Sequence, residues 1–397
     1  MAGSGPKIRL REHRPRVYIR PMRVPSPDPG RRKILRDILA TIDVQVDGAR
    51  PWDVHVHDER FFRRALADGA LGLGESYVEG WWDADAIDEL FVRLSRLDPA
   101  SVPMPHAARW QLLRDRLVNP QRKSAAGRDV GHHYDLGNDL FTAMLGRTMA
   151  YSCGYWADAT TLDAAQDAKF DLICRKLGLK ADQSILDIGC GWGGFVRHAA
   201  TRYGVRATGI TISKEQAALG RELCRGLPVE IELMDYRDMR GRFDHVVSIG
   251  MFEHVGPRNY RSFFEVAQRC LADEGLFLLH TIGTNGRSRG VDTWTKKYIF
   301  PGSSQPSISE IGVAIERLFV MEDWHNFGPD YDRTLMAWCA NFEAAWEGLR
   351  PRYGDAFRRM WTYFLRSAAG SFRARRNQLW QIVLSKRGVP GGYRAVR

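Results

Sequence analysis

Asp187-Ile188-Gly189-Cys190-Gly191-Trp192-Gly193-Gly194 is the stretch on which the fold turns. It follows a short apolar run, Ser184 to Ile188, and leads into a helical pattern near 194–203. Glycines in such a place let the backbone turn tightly and approach a ligand closely. Gly189, Gly191 and Gly194 satisfy G-x-G-x-x-G, a weak signal on its own. A dinucleotide site also expects an acid about twenty residues on, at the end of the second strand, to hold ribose hydroxyls. That place reads Gly209-Ile-Thr211-Ile-Ser213, without an acid. The acid stands before the glycines instead, as Asp187. A glycine turn that binds nothing is the plainer alternative, but the strand–turn–helix setting argues for a ligand.

Outward from this loop, strands and helices alternate. Apolar, β-branched runs occur at 184–188, 205–212, 229–234, 243–249 and 276–282. Helical stretches lie between them, near 194–203, 213–224 and 259–271. Alternation of this kind predicts an α/β domain, a parallel sheet covered on both faces. Toward the N-terminus, residues 35–120 carry helical periodicity and read as a small, mainly helical domain. Phe61, Phe62, Trp81 and Trp82 there read as core rather than as interfacial aromatics. Pro103, Pro105 and Pro120 mark a linker, so 121–397 is taken as the catalytic domain. Residues 1–34 are rich in Arg and Pro, bury no core by composition, and are expected to be a disordered arm.

The chain has 397 residues, long enough for two domains, and a formal net charge of +11. A basic surface suits an anionic bilayer or nucleic acid, and charge alone does not choose between them. Six cysteines without CxxC pairing indicate neither a disulfide framework nor a zinc site, so no metal is expected. No secretory leader and no apolar run of roughly eighteen residues is present. The expected location is therefore the cytoplasm, with peripheral contact at the inner face of the membrane.

The order Asp187-x-Gly189-x-Gly191-x-Gly193 resembles motif I of class I S-adenosylmethionine methyltransferases. Further stretches resemble cyclopropane fatty acid synthases, a family that includes the mycolic acid methyltransferases. They are Gly131-His-His-Tyr-Asp-Leu-Gly-Asn-Asp-Leu-Phe141, Tyr151-Ser-Cys-Gly-Tyr-Trp156, Gly209-Ile-Thr-Ile-Ser-Lys-Glu-Gln216, Gly250-Met-Phe-Glu-His-Val-Gly256, Leu278-Leu-His-Thr-Ile-Gly283 and Phe327-Gly-Pro-Asp-Tyr-Asp332. Gly72-Leu-Gly-Glu-Ser-Tyr-Val-Glu-Gly-Trp-Trp82 is similar to the phospholipid-acting members, which carry an extra lipid-binding domain. The resemblance implies a Rossmann-like class I catalytic domain behind a small helical one. It implies transfer of a methyl carbon from S-adenosylmethionine to the cis double bond of an unsaturated phospholipid, with closure of a cyclopropane ring.

By the same resemblance, cofactor contacts fall on Tyr151, Ser152, Asp187, Gly189, Gly191, Gly193, Thr211, Ile212, Gln216 and Tyr236. A bicarbonate ion is expected in a cage of Cys153, Glu253, His280, Ile282 and Tyr331, and the enzyme is expected to be a homodimer. The residue types suit the chemistry. Methyl transfer leaves a carbocation, for which Tyr134, Tyr155, Trp156 and Tyr331 offer aromatic faces. Ring closure needs a base, and a small caged oxyanion avoids alkylation of the protein. Tyr331 and the Ile282 N–H are expected to donate to bicarbonate and His280 to orient it, with Glu253 accepting its O–H or fixing His280. Taken singly, His280 reads as a core histidine and Cys153 as a small buried hydrophobe. The family's occasional cysteine near 367–371 is replaced here by Ala368, so that thiol is dispensable if the enzyme is active. Alternatives are a same-fold acyl methyltransferase leaving a methyl branch, a non-catalytic lipid binder, or a nucleic-acid methyltransferase. No nucleic-acid module is found, so no nucleic-acid partner is expected.

Overall fold

The computed structural model describes residues 29–97, 136–286 and 291–397. The arm before residue 29, the linker prolines, the boundary at 120 and Tyr134 lie outside the described residues.

A short antiparallel pair, β1 (His55–Val56) and β2 (Trp82–Asp83), precedes the main sheet, in which five strands form the expected parallel core: β3 (Ser184–Ile188), β4 (Arg206–Thr211), β5 (Val229–Leu233), β6 (His245–Ile249) and β7 (Leu276–Gly283). Their order is β5-β4-β3-β6-β7. β3 sits at the switch point, with β4 on one side and β6 on the other, and Asp187 pairs with Gly209 and Val247. The crevice beyond the C-terminal ends of such strands is where α/β sheets bind ligands. Helices α7 (Gly194–Tyr203), α8 (Lys214–Leu223) and α9 (Tyr260–Cys270) flank the sheet near the expected places, and α6 (Leu162–Leu177), which carried no expectation from the sequence, precedes β3.

The sheet is not purely parallel. β9 (Gln378–Ser385) pairs antiparallel with β7, and β8 (Val320–Asn326) pairs antiparallel with β9 at the edge. β8 escapes a sequence reading because it is largely exposed or half-buried and mixes Glu322, Asp323 and His325 into a short run. The direction of β9 depends on which end of the sheet the chain returns to, which no local pattern records.

The N-terminal part differs from the expectation in two ways. Helix α1 spans Pro29–Ala40, so residues 29–34, assigned to the arm, are helical. Proline is well tolerated in a helix's first turn, where its missing N–H has no intrahelical partner. Arg32 is pinned to Asp47 and Glu59 at 3.0 and 2.5 Å. The Arg- and Pro-rich composition hid only the first turn; the stripe of Leu35 and Leu39 that follows is buried, in line with the helical periodicity expected from residue 35.

Second, α1, α2 (Arg60–Asp68), α3 (Ala70–Val78) and α4 (Ile87–Leu94) build no core of their own. Leu35, Phe61, Trp82 and Leu90 share one apolar cluster with Trp338, Trp361 and Phe364. The latter come from α12 (Pro329–Ala344) and α14 (Asp355–Arg373). Arginines seven residues apart on α14 fasten the two parts. Arg359 donates to the Tyr77 and Trp82 carbonyls, Arg366 to the Asp85 carbonyl, and Arg373 to Asp88 and Glu89. At Gly370 a Cβ would lie 2.2 Å from the Asp88 carbonyl oxygen, so α4 and α14 touch backbone to backbone. Phe61, Phe62 and Trp82 are core as expected, while half-buried Trp81 carries the Arg60 guanidinium 4.4 Å from its ring centroid.

Candidate active site

Two cavities open at the C-terminal ends of the parallel strands. The smaller, of about 150 Å³, lies against the glycine loop. Gly189 takes φ 89°, and a Cβ there would meet the Met251 Cβ at 2.5 Å, so only glycine lets the chain pass. Of the expected contacts, Tyr151, Ser152, Asp187, Gly189, Gly191, Thr211, Ile212, Gln216 and Tyr236 all line this cavity. Gly193 does not; it caps the start of α7, and a Cβ there would meet Ile231 and Cys224. The Thr211 hydroxyl donates to Gln216 Oε1 at 2.7 Å, tying the end of β4 to the first turn of α8. Asp187 Oδ1 and the Tyr236 hydroxyl are buried without a hydrogen-bond partner among the described residues. Groups of that kind suit a polar ligand that supplies the missing bonds.

A lysine stands behind this wall. Lys169 on α6 is fully buried, donates from Nζ to Ser152 Oγ at 2.8 Å, and lies 4.1 Å from the Phe170 ring centroid. Burial pushes Lys169 down to about 7 and Asp187 up to about 7, each opposed by the other's charge. Sequence reading had no reason to single out Lys169, since a lysine on a helix is normally solvated.

The larger cavity, of about 420 Å³, is apolar for most of its wall. It is shared between the two parts of the chain: Leu35, Leu39, Phe61, Leu73 and Leu90 from the N-terminal helices face Leu335, Trp338 and Phe364 from the C-terminal ones. Ala368 lines it too. Glu253, Ile282 and Tyr331 line this cavity, and Tyr331 stacks on Phe372 at 4.6 Å.

Cys153 and His280 are buried out of contact with either cavity. The Cys153 thiol donates to the Gly154 carbonyl at 3.1 Å, and burial drives its pKa far up, which makes it an inert thiol. His280 Nδ1 lies 3.3 Å from Gln381 Nε2, its register neighbour on β9. Burial, aided by the charges of Lys169 and Lys176, holds the His280 imidazole well below its ordinary value, hence neutral. Its Nε2 is buried without a partner among the described residues.

Two expected contacts are corrected here. The Ile282 N–H donates to Glu253 Oε1 at 2.7 Å and so is already engaged. Glu253 accordingly fixes Ile282, and Gln381 rather than Glu253 meets His280. A buried carboxyl without a neighbouring cation takes the nearest backbone donor. Burial pushes Glu253 up to about 7 against that hydrogen bond, and its Oε2 is left without a partner among the described residues. Tyr155 packs against His325 and Phe327, and Trp156 donates from Nε1 to Thr334 Oγ1. Neither lines the cavity, so of the described aromatics proposed for the cation only Tyr331 does.

Asp235, Arg237 and His254 line the cofactor cavity and were not singled out from sequence. His254 lay inside a quoted motif. Asp235 and Arg237 follow β5, where strand ends in this fold face the ligand.

The chain matches the mycolic acid cyclopropane synthetase family over residues 121–382. It is 48% identical over 376 residues to the cyclopropane-fatty-acyl-phospholipid synthase of Escherichia coli K12, covering 94% of this chain and 98% of that one. Among solved structures, the cyclopropane synthase MmaA2 of Mycobacterium tuberculosis superposes with a TM-score of 0.62 at 31% identity, over 66% of this chain and 98% of its own. Mycolic acid cyclopropane synthase CmaA1, complexed with SAH and CTAB, superposes with the same TM-score at 32% identity over the same shares.

Proposed function

The chain belongs to the mycolic acid cyclopropane synthetase family of S-adenosylmethionine-dependent methyltransferases, and from that premise we propose that it cyclopropanates the cis double bond of unsaturated phospholipid acyl chains. One observation carries this reading: the cavity at the glycine loop adjoins a larger apolar cavity through the shared wall residues Tyr151, Gly250 and His254, and Glu253, Ile282 and Tyr331 line that second cavity.

Bound S-adenosylmethionine would supply the methyl carbon. The glycine loop, Thr211, Gln216 and Tyr236 would hold it, with Asp187 Oδ1 and the Tyr236 hydroxyl gaining the partners they lack. The SAH in the CmaA1 complex supports this choice. The apolar cavity would take one acyl chain and exclude water. An isolated alkene is a poor nucleophile, so alignment and dryness are what the walls contribute. Tyr331 would face the carbocation that methyl transfer leaves.

The residues around Glu253 fit a small oxyanion. Glu253 Oε2 and His280 Nε2 are buried polar atoms without partners among the described residues, and His280 is uncharged. A bound anion would hold Glu253 protonated, and a protonated carboxyl donates a hydrogen bond. Bound bicarbonate would supply the base for the proton lost on ring closure, leaving no protein nucleophile exposed to alkylation. Glu253 would hold it from the cavity wall, with neutral His280 behind that wall and its ring fixed by Gln381.

The substrate would be met at a membrane surface, on its cytoplasmic side. No helix among the described residues is long and apolar enough to cross a membrane. Helix α1 lines the apolar cavity with Leu35, Ile38 and Leu39 while exposing Arg31, Lys33, Ile34 and Arg36. Cations beside an exposed apolar side chain suit an anionic bilayer. A homodimer belongs to this reading through the family resemblance.

The test is incubation of the purified protein with S-adenosylmethionine, bicarbonate and vesicles of a cis-monounsaturated phospholipid, followed by gas chromatography–mass spectrometry of the acyl chains. A saturated ring product one methylene heavier than the substrate is expected. A methyl-branched or methylene product would reject ring closure and leave methyl transfer standing.

A further inference from the structure

The cofactor cavity and the acyl cavity share three lining residues, Tyr151, Gly250 and His254. A group carried from one cavity to the other passes between them. His254 ends the 3-10 turn Phe252–His254, which also delivers Glu253. Its ring meets Phe300 edge-on at 6.0 Å, and Phe300 lies 6.3 Å from the Tyr151 ring. His254 and Tyr151 thus stand on either side of Phe300 at the junction.

Resting on the reading of the site given above, we propose that His254 is a catalytic residue of methyl transfer, its ring forming with Tyr151 the wall past which the methyl moves from sulfur to the acyl chain. In that step the carbon–sulfur bond breaks with its electron pair going to sulfur, which leaves as a neutral thioether. The alkene's π pair forms the new carbon–carbon bond, and the positive charge settles on the other alkene carbon. The proton later lost from the added methyl goes to the site base. Positive charge is thus present first on the cofactor side of His254 and then on the acyl side. A cationic ring there would oppose both states, and an uncharged aromatic face favours both. The surroundings supply that condition, since burial lowers the His254 imidazole to about 4. A packing role alone would be met equally well by an aliphatic side chain of similar size.

The experiment compares the full-length wild type with His254→Leu and His254→Phe, using the vesicle assay above, S-adenosylhomocysteine titrations and thermal melts. His254→Leu is expected to lower kcat by about 50-fold or more while cofactor affinity and lipid KM stay within about three-fold. His254→Phe, which restores an uncharged ring, is expected to return to within about five-fold of wild type. Wild-type turnover in His254→Leu would overturn the proposal, as would a Phe variant no better than the Leu one. Loss of cofactor binding in both variants would also overturn it, by assigning His254 to cofactor positioning. Should His254→Leu not melt cooperatively, His254→Asn takes its place with the same expected loss. A wild type that yields no lipid product would remove the reading beneath the proposal, a result separate from any variant's behaviour.

Discussion

The two cavities are built in opposite ways. The cofactor cavity is lined by a few short segments at the ends of β3, β4, β5 and β6 and by the turn at 149–152. The acyl cavity draws on residues from Leu35 to Asn377, with α1, α2, α3 and α4 on one side and α12 and α14 on the other. A polar cofactor is recognised by backbone turns and a few hydrogen bonds, so it needs special residues at fixed spacing. An acyl chain is recognised by apolar area and shape, which many residue combinations can supply. One side is therefore written as motifs, while the other is spread over helices that look like ordinary core.

Glu253 gives the largest expected break between the two sides. Glu253→Gln should reduce lipid methylation by about a thousand-fold while S-adenosylhomocysteine binding stays intact. The same variant should be more stable than wild type at pH 8 and not at pH 4. The carboxyl titrates near 7 when folded against an ordinary 4.5. Between those pH values the unfolded chain ionises first, so wild-type stability falls as pH rises through that window. The amide avoids a cost of up to roughly 3 kcal/mol. Thermal melts at the two pH values check the sign, and equal shifts at both would break the argument.

Gly189→Val should fail in the complementary direction. Its φ of 89° and the Met251 contact leave no room for a side chain. Cofactor affinity should fall by about a hundred-fold, measured by calorimetry, with vesicle binding unchanged. A variant that lost both would show that the cavities are not separable.

Arg373 tests whether the acyl cavity depends on docking of the N-terminal helices. It donates to Asp88, Glu89 and Asp332 at once. Arg373→Met should cost about 1–2 kcal/mol, since the site is partly exposed, and raise lipid KM by about five-fold. Cofactor affinity should not move. The smallest effect is expected at Ala368, on the acyl cavity wall. Ala368→Cys should leave kcat within about two-fold, because the proposed chemistry uses no thiol there.

Much of the cofactor side was legible in advance. Five parallel strands and three intervening helices fall close to their expected places, because β3, β6 and β7 are buried on both faces and read as apolar runs, while edge strand β5 shows the alternation of a half-buried strand. Nine of the ten expected cofactor contacts line one cavity. Of the five residues expected to cage an anion, Glu253, Ile282 and Tyr331 line the larger cavity and Cys153 and His280 do not. Bonding was not legible: the engaged Ile282 N–H, the pairing of His280 with Gln381, and the burial of Lys169 against Ser152 all depend on strands or helices remote in sequence.

The order of residues alone determined the strand–turn–helix at Asp187–Gly194 and the sheet's parallel core, and its motifs carried the resemblance to the family. The first two rest on local dihedral demands and on short-range periodicity, which a chain displays without folding. Only the tertiary structure decided that β8 and β9 run antiparallel, that α1 begins at Pro29, and that residues 29–97 share a core with α12 and α14. It also decided that Tyr151, Gly250 and His254 stand where two cavities meet. The reason is physical: strand direction, helix docking and cavity shape come from packing between distant segments, and burial then decides which polar groups stay charged and which bonds they make.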